Sequence, residues 1–373
     1  MTTVRFGFAL LLLALPLSGA TALAQAQTVR AVTVAEGIRM GWALAFLPDG
    51  SMLVTERPGA IRVVSAKGIV GPPLGGVPKV AFGGQGGLLD LIVDREFAKN
   101  RMLYFCFSEA GDGGNSTALA SAKLTPDARL LTDVRVIFRQ QPKVESRHHF
   151  GCRIVEANDG TLFMTLGDRF SRMQDAQTLD THHGKVIRIA KDGRVPPDNP
   201  FAGRSGARAE IWSLGHRNLQ GATLDAAGRL WTHEHGPQGG DELNRTEAGK
   251  NYGWPVITYG ENYGGGKIGD GITEKAGLEQ PAKYWVPSIA PSGMAFLTSE
   301  KYGAAWRNNF FIGSLKFRYF ARLPLEGDKV GAEQRVMDLG QRVRDVRQGP
   351  DGFLYVLTED QRGRIVRLEP AQR

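Results

Sequence analysis

Forty-eight glycines among 373 residues, a turn-and-strand phrase that recurs six times, and a spacing of roughly 58 residues per copy predict an all-β fold, a six-bladed β-propeller with four-stranded antiparallel blades. Glycine at nearly twice its usual share of ~7%, with no triplet period, signals many tight turns rather than a collagen-like chain. The composition is otherwise globular, 42% hydrophobic and 23% charged, which excludes a disordered or coiled-coil protein.

Residues 1–24 read as a bacterial-type export signal: Arg5, an apolar run from Phe6 to Leu17, and Ala22-Leu23-Ala24 as a small-x-small cleavage site. That run is shorter than the roughly 20 residues needed to span a bilayer, and no other stretch could cross one. The sequence therefore predicts no membrane span, a periplasmic location, and a single propeller domain over residues 25–373.

The phrase first reads Pro48-Asp49-Gly50-Ser51-Met52-Leu53-Val54-Thr55, a turn followed by a strand. It returns at 158–165, 226–232 and 350–357, with degenerate copies at 99–105 and 307–312. A second phrase follows several of these, at Gly59-Ala60-Ile61-Arg62, Gly184-Lys185-Val186-Ile187 and Gly363-Arg364-Ile365-Val366, and reads as the next antiparallel strand. The interval from 231 to 309 is too long for one compact blade, so its excess is expected in loops, where chemistry usually sits.

Formal net charge is +8, but the basic residues are dispersed rather than striped, and an exported chain has no nucleic-acid partner to meet. Only Cys106 and Cys152 are present; an oxidising compartment permits a disulfide, and spacing alone leaves their pairing open. All seven histidines fall between 148 and 235, placing them on two or three neighbouring blades. Most such residues are solvated or core histidines, and His233-x-His235 could also contribute to a zinc site. The run from Glu234 to Asn244 is instead rich in glycine and carboxylate oxygens, which suit a hard cation, calcium first. Arg342 and Arg344 share parity on a strand, so both point to one side, a clamp for a polycarboxylate or simply a solvated basic edge.

Seven phrases then carry a resemblance. They are Gly83-Gly84-Gln85-Gly86-Gly87-Leu88-Leu89-Asp90, His149-Phe150-Gly151-Cys152-Arg153, Arg217-Asn218-Leu219-Gln220-Gly221, Glu234-His235-Gly236-Pro237-Gln238-Gly239-Gly240-Asp241-Glu242, Gly249-Lys250-Asn251-Tyr252-Gly253-Trp254-Pro255, Gly313-Ser314-Leu315-Lys316 and Arg342-Val343-Arg344-Asp345-Val346. In this order the chain resembles the soluble pyrroloquinoline-quinone (PQQ) glucose/sorbosone dehydrogenase family, and looks closest to its periplasmic aldose sugar dehydrogenase branch. The family fold is a six-bladed propeller, in agreement with the repeat count.

The resemblance implies PQQ and Ca2+ as cofactors, and oxidation of the C1 hydroxyl of aldose sugars to lactones. His149 matches the general base and Arg217 the arginine beside the quinone carbonyl. Gln85, Asn218, Tyr263, Ser314, Leu315, Lys316, Arg342, Val343 and Arg344 match cofactor-contacting positions. Backbone carbonyls of Gly236 and Pro237 match ligands of the catalytic calcium, and Glu242 and Tyr252 match a further, structural calcium. The implied partners are the sugar and an external electron acceptor, a quinone or cytochrome, with the protein a monomer or weak dimer. Two departures stand out. His148 precedes the base where the glucose dehydrogenase branch carries Asp, and Cys152 replaces an expected glycine. His148 and His149, read as strand neighbours, are expected to face opposite ways. The competing readings are a non-catalytic sugar- or protein-binding propeller and a calcium-dependent lactonase-type propeller, neither of which needs the full set of cations.

Overall fold

The computed structural model describes residues 1–3 and 28–371, so the export signal read at 1–24 lies almost wholly outside the described residues. The recurring phrase folds for a local reason. Asp49, Asp159 and Asp351 each accept a hydrogen bond from the backbone N–H two residues on, at 2.9, 2.9 and 3.1 Å. The glycine between them takes a φ of 82°, 84° and 82°, a left-handed conformation that only glycine adopts without strain. The turn reverses the chain and launches a strand. In all six copies it joins the first and second strands of a four-stranded antiparallel sheet.

Blade 1 comprises Gly41–Phe46, Met52–Glu56, Ala60–Val64 and Val70–Pro73, and blade 2 comprises Leu88–Val93, Met102–Gly111, Gly114–Leu124 and Leu131–Arg139. Blade 3 is Ile154–Glu156, Leu162–Leu166, Lys185–Ile189 and Ile211–Leu214; blade 4 is Leu219–Leu224, Leu230–Glu234, Asp241–Arg245 and Lys283–Trp285. Blade 5 is Pro291–Phe296, Phe310–Ser314, Tyr319–Leu323 and Gln334–Asp338. Blade 6 takes Arg342–Gln348, Leu354–Glu359 and Gly363–Pro370 from the end of the chain, and its outer strand, Val29–Ile38, from the beginning. The long interval in blade 4 is, as expected, a loop between its third and fourth strands. The innermost strands of successive blades touch in order around the ring, the sixth against the first.

Burial follows the same plan. There is no single core; an apolar wedge fills each interface between neighbouring blades, for example Leu53 and Ile61 against Leu103 and Phe105, or Trp231 and Leu243 against Phe310 and Ile312. Cys106 and Cys152, whose pairing the sequence left open, form a disulfide inside the wedge between blades 2 and 3.

The axis is polar. Arg153, 2% exposed, pairs with Asp90 of blade 2 at 3.2 Å and Asp345 of blade 6 at 2.9 Å. It also donates to the carbonyls of Gln220 at 2.7 Å and Arg344 at 3.0 Å, and its guanidinium lies over the Trp42 ring. Arg347 bridges the same two aspartates, and Asp345 accepts the backbone N–H of Leu44 in blade 1. Both oxygens of Asp90 and of Asp345 accept hydrogen bonds, which makes the burial of these charges tolerable. Replacing Arg153 by Met should cost about 3 kcal/mol or more, because Asp90 and Asp345 then share one cation in place of two. The midpoint of guanidinium unfolding measures this, and an unchanged midpoint would remove the axis from the account of stability.

Candidate active site

Antiparallel topology sends the Asp-Gly turns to one face of the ring and the ends of the second strands to the other. On that second face lie two adjoining cavities of about 530 and 410 Å3. Gln85, Asn218, His235 and Ala290 border both.

His149 lines the smaller one. It sits in the connection between blades 2 and 3 with a φ of 49°, not on a strand, so the expected strand alternation with His148 does not apply; His149 is nonetheless buried and His148 exposed. The segment is tethered residue by residue. The His149 N–H donates to the Gln85 side chain at 2.8 Å, the Phe150 carbonyl accepts from Thr117 at 2.7 Å, and the Gly151 carbonyl accepts from Gln220 at 2.9 Å. The His149 Nδ1 lies 2.6 Å from Asp168 Oδ1, while the other Asp168 oxygen accepts from the Trp254 indole at 2.7 Å. This pairing assigns the Nδ1 proton, and leaves Nε2 with a free lone pair and no hydrogen bond among the described residues.

Burial pushes the His149 pKa below its ordinary value despite the opposing pull of Asp168, with the Arg217 charge adding to the fall. Burial would raise Asp168, but the hydrogen bond from His149 and the Arg217 charge outweigh it and hold the carboxyl below the usual range. A neutral imidazole beside a fixed carboxylate is a competent proton acceptor. Sequence reading missed Asp168. Its signal lay in the repeat: it follows the second strand of blade 3, the place where other blades supply Arg57, His235 and Lys316.

Arg217 donates to the carbonyls of His235 and Gly236 at 3.0 and 2.7 Å, and its guanidinium lies 5.9 Å from the Tyr263 ring. Its Nε is buried without a hydrogen-bond partner among the described residues. Arg342, Arg344, Leu315 and Trp42 line the larger cavity. Arg342 and Arg344 do converge, on Glu359, at 3.5 and 2.5 Å. Arg57, which the sequence reading did not single out, completes the group at 3.8 Å from Glu359 and carries a second unpaired Nε. Lys316, Tyr263, Gly236 and Pro237 line the smaller cavity.

Two expected cofactor contacts are not at the cavities. Ser314 and Val343 are fully buried. The Ser314 hydroxyl is turned to the Ile289 carbonyl, and Val343 packs in the wedge between blades 5 and 6. Strand alternation puts these side chains on the inner side of residues that do reach the mouth. Glu242 and Tyr252 lie behind Arg217. Glu242 stands across the strand pair from Glu234, and both border a pocket of about 10 Å3 with Gly236, Gly240 and Thr258. Burial, then the neighbouring Glu234 charge, raises the Glu242 pKa. The Tyr252 hydroxyl is committed to the Glu247 N–H and the Arg245 carbonyl, and its ring stacks on His216, so its side chain does not reach that pocket. His233 is packed against Gly221, and His235 Nε2 donates to the Pro291 carbonyl at 2.7 Å; among the described residues the pair is not part of any cluster of metal-ligating side chains.

A planar tricarboxylate fits this donor set. Arg57, Arg342 and Arg344 carry three positive charges against the two negative charges of Glu359 and Asp360, and two guanidinium Nε atoms, of Arg57 and Arg217, have no hydrogen-bond partner among the described residues. The Gly236 and Pro237 carbonyls are hard oxygen donors suited to calcium, although the first already accepts from Arg217 and a bound anion must supply further ligands. Two facing carboxylates, Glu234 buried and Glu242 half-buried, at a pocket of one-ion size also fit a cation.

The family model for glucose/sorbosone dehydrogenases matches residues 38–367. YliI, an aldose sugar dehydrogenase of Escherichia coli, is 46% identical over 348 residues, covering 92% of this chain and 93% of the relative. The crystal structure of the soluble E. coli aldose sugar dehydrogenase in its apo form matches with a TM-score of 0.89 and 45% identity over 92% of this chain and 100% of that one. The PQQ-bound form of an aldose sugar dehydrogenase from Streptomyces coelicolor matches with a TM-score of 0.75 and 29% identity over 92% and 99%. The chain belongs to the glucose/sorbosone dehydrogenase family, a family of oxidoreductases.

Asp168→Asn should lower kcat by about 10²–10⁴, through loss of the tautomer and orientation of His149. The sign of the pH effect follows from the charge: without the carboxylate the imidazolium is less favoured, so the acid limb of kcat/KM should move to lower pH. A limb that moves up, or a kcat near wild type, would separate Asp168 from the base.

Proposed function

We propose that the protein oxidises the C1 hydroxyl of aldose sugars to lactones, using PQQ and calcium and passing the electrons to an external acceptor. The observation that carries this reading is the His149–Asp168 pair beside a cavity lined by an excess of guanidinium groups. When bound, PQQ supplies the hydride-accepting quinone and calcium a Lewis acid.

The chain's own residues do the rest. His149 Nε2 takes the proton of the C1 hydroxyl, and Asp168 stabilises the imidazolium that forms. Arg217, held by the carbonyls of His235 and Gly236, aims its charge where negative charge develops. Lys316, Arg342 and Arg344, joined by Arg57, hold the cofactor carboxylates, with Gln85, Asn218, Leu315 and Tyr263 around them. The Gly236 and Pro237 carbonyls would serve the catalytic calcium, and Glu242 with Glu234 a structural one. The signal read over residues 1–24 supports a periplasmic site of action.

Adding PQQ and calcium to purified protein should produce dye reduction with aldoses; bound PQQ without turnover on any sugar would refute the reading. Lys316→Ala and Arg344→Ala should each weaken PQQ binding about tenfold or more, since each removes a charge-assisted contact. His149→Ala should keep PQQ affinity near wild type and lose about 10²–10⁴ in kcat, while His148→Ala costs much less. Turnover lost only in the His148 variant would move the base by one residue.

A further inference from the structure

Beside the base stands a residue that folding alone does not explain. Arg169 and Phe170 follow Asp168 with φ of 59° and 65°, two successive non-glycine residues in the left-handed region. Each costs stability that glycine would not, because a Cβ crowds the backbone there. The Phe170 ring is also 50% exposed, so it recovers little through burial. A glycine would make the same turn without strain and without an apolar ring in water.

Arg169 holds the turn in place. Its side chain is fully buried and donates to the His148 carbonyl at 3.1 Å, the Asn115 carbonyl at 2.8 Å, Asn115 Oδ1 at 2.7 Å and the Ser146 carbonyl at 2.8 Å. The guanidinium also lies 3.8 Å from the centre of the Phe150 ring. The Phe170 N–H donates to Asp168 Oδ1 at 2.8 Å, the same oxygen that lies 2.6 Å from His149 Nδ1. One carboxylate oxygen therefore sets both the base and the exposed ring. Their centroids are 5.3 Å apart with the planes at 80°. Strain retained beside a reacting group, and held by so many bonds, points to a use for the side chain it presents.

We propose that Phe170 is a specificity-determining residue, whose ring stacks on the C–H face of the aldose and selects pyranoses with no axial hydroxyl on that face. The proposal rests on the reading of His149 as the base that takes the C1 proton. A pyranose whose C1 hydroxyl meets His149 cannot lie far from a ring in contact with that imidazole. Sugar C–H hydrogens carry a small positive charge and meet the negative face of the phenyl group. An axial hydroxyl on that face would be pressed against the ring and lose water without gaining a partner.

Glucose presents C–H bonds on both faces, talose carries axial hydroxyls on one, and allose carries an axial hydroxyl on the other. The loaded wild-type enzyme should discriminate by KM against talose or allose, and Phe170→Ala should narrow that difference. For glucose, Phe170→Ala should raise KM about tenfold with kcat within about twofold, and Phe170→Trp should restore KM. Phe170→Gly should raise KM equally yet leave the thermal midpoint unchanged or higher, since it relieves the turn. Saturation-transfer NMR with 1,5-anhydroglucitol, which has no C1 hydroxyl to oxidise, should light up the C–H protons of one face, and the signal should vanish in Phe170→Ala. An unchanged glucose KM, an unchanged sugar preference, a KM change for the dye in place of the sugar, or a lowered midpoint in Phe170→Gly overturns the proposal. Absence of dye reduction by the wild type with any sugar would count against the PQQ reading; the NMR measurement needs no turnover and decides the stacking separately.

Discussion

Everything at the mouth depends on charges buried along the axis. A ring of six sheets can breathe or shear unless its inner strands are fixed to one another. Arg153 fixes them with directional bonds: it reaches from blade 3 to Asp90 in blade 2, to the Gln220 carbonyl in blade 4, and to Asp345 and the Arg344 carbonyl in blade 6. Blade 5 closes in through Gly293, where a Cβ would lie 2.3 Å from Asp345 Oδ1, so only glycine permits the approach. Apolar wedges alone are tolerant of small slips, because dispersion has no preferred direction. Bifurcated ion pairs are not, and the price of a slip is an unpaired buried charge.

This rigidity matters because the site is assembled from the ends of strands on different blades. The end of the second strand in blade 1 gives Arg57, in blade 3 Asp168, in blade 4 Glu234 and His235, in blade 5 Lys316 and in blade 6 Glu359. Each is short-range in sequence only to its own blade. Glu359 gathers arginines from blades 1 and 6, and Asp168 joins the connection between blades 2 and 3 to Trp254 in the long loop of blade 4. A displacement of one blade by a fraction of an ångström would lengthen several of these contacts together. Preorganisation of this kind is what lets a few charges act strongly in a half-dry cleft.

The repeat was legible because its physics is local: an aspartate, a glycine and a strand suffice, and each copy needs nothing from the others. His149, Arg217, Lys316, Arg342 and Arg344 could be named from phrases whose order resembles a known family. Asp168 could not, since nothing within its own few residues marks it as the partner of a histidine 19 positions earlier. Arg57 was hidden for a similar reason, its carboxylate partner Glu359 lying on the last blade. Ser314 and Val343, whose side chains do not line the cavities, are a different case. They stand one residue from cavity-lining neighbours, where the alternation of a strand, shifted by the bulge between Val343 and Asp345, decides which side chain turns inward. The cysteine pair needed a distance between two blades that spacing does not contain.

Blade 6 is built from both ends of the chain, with Val29–Ile38 laid along Gly363–Pro370. A polypeptide made from its N-terminus thus holds its first strand without a mate until nearly the last residues exist. Over that interval the strand is an open edge, and five sheets are strung as an arc whose terminal faces have lost their neighbours. The ring is topologically a clasp: shutting it buries the final two wedges at once and brings the axial ions into register. Closure of so long a loop costs little more entropy than closure of one half its length, because the penalty grows only with the logarithm. The vulnerable moment is therefore temporal rather than energetic. A cell that makes this protein must keep one naked strand from finding the wrong edge until the right one arrives.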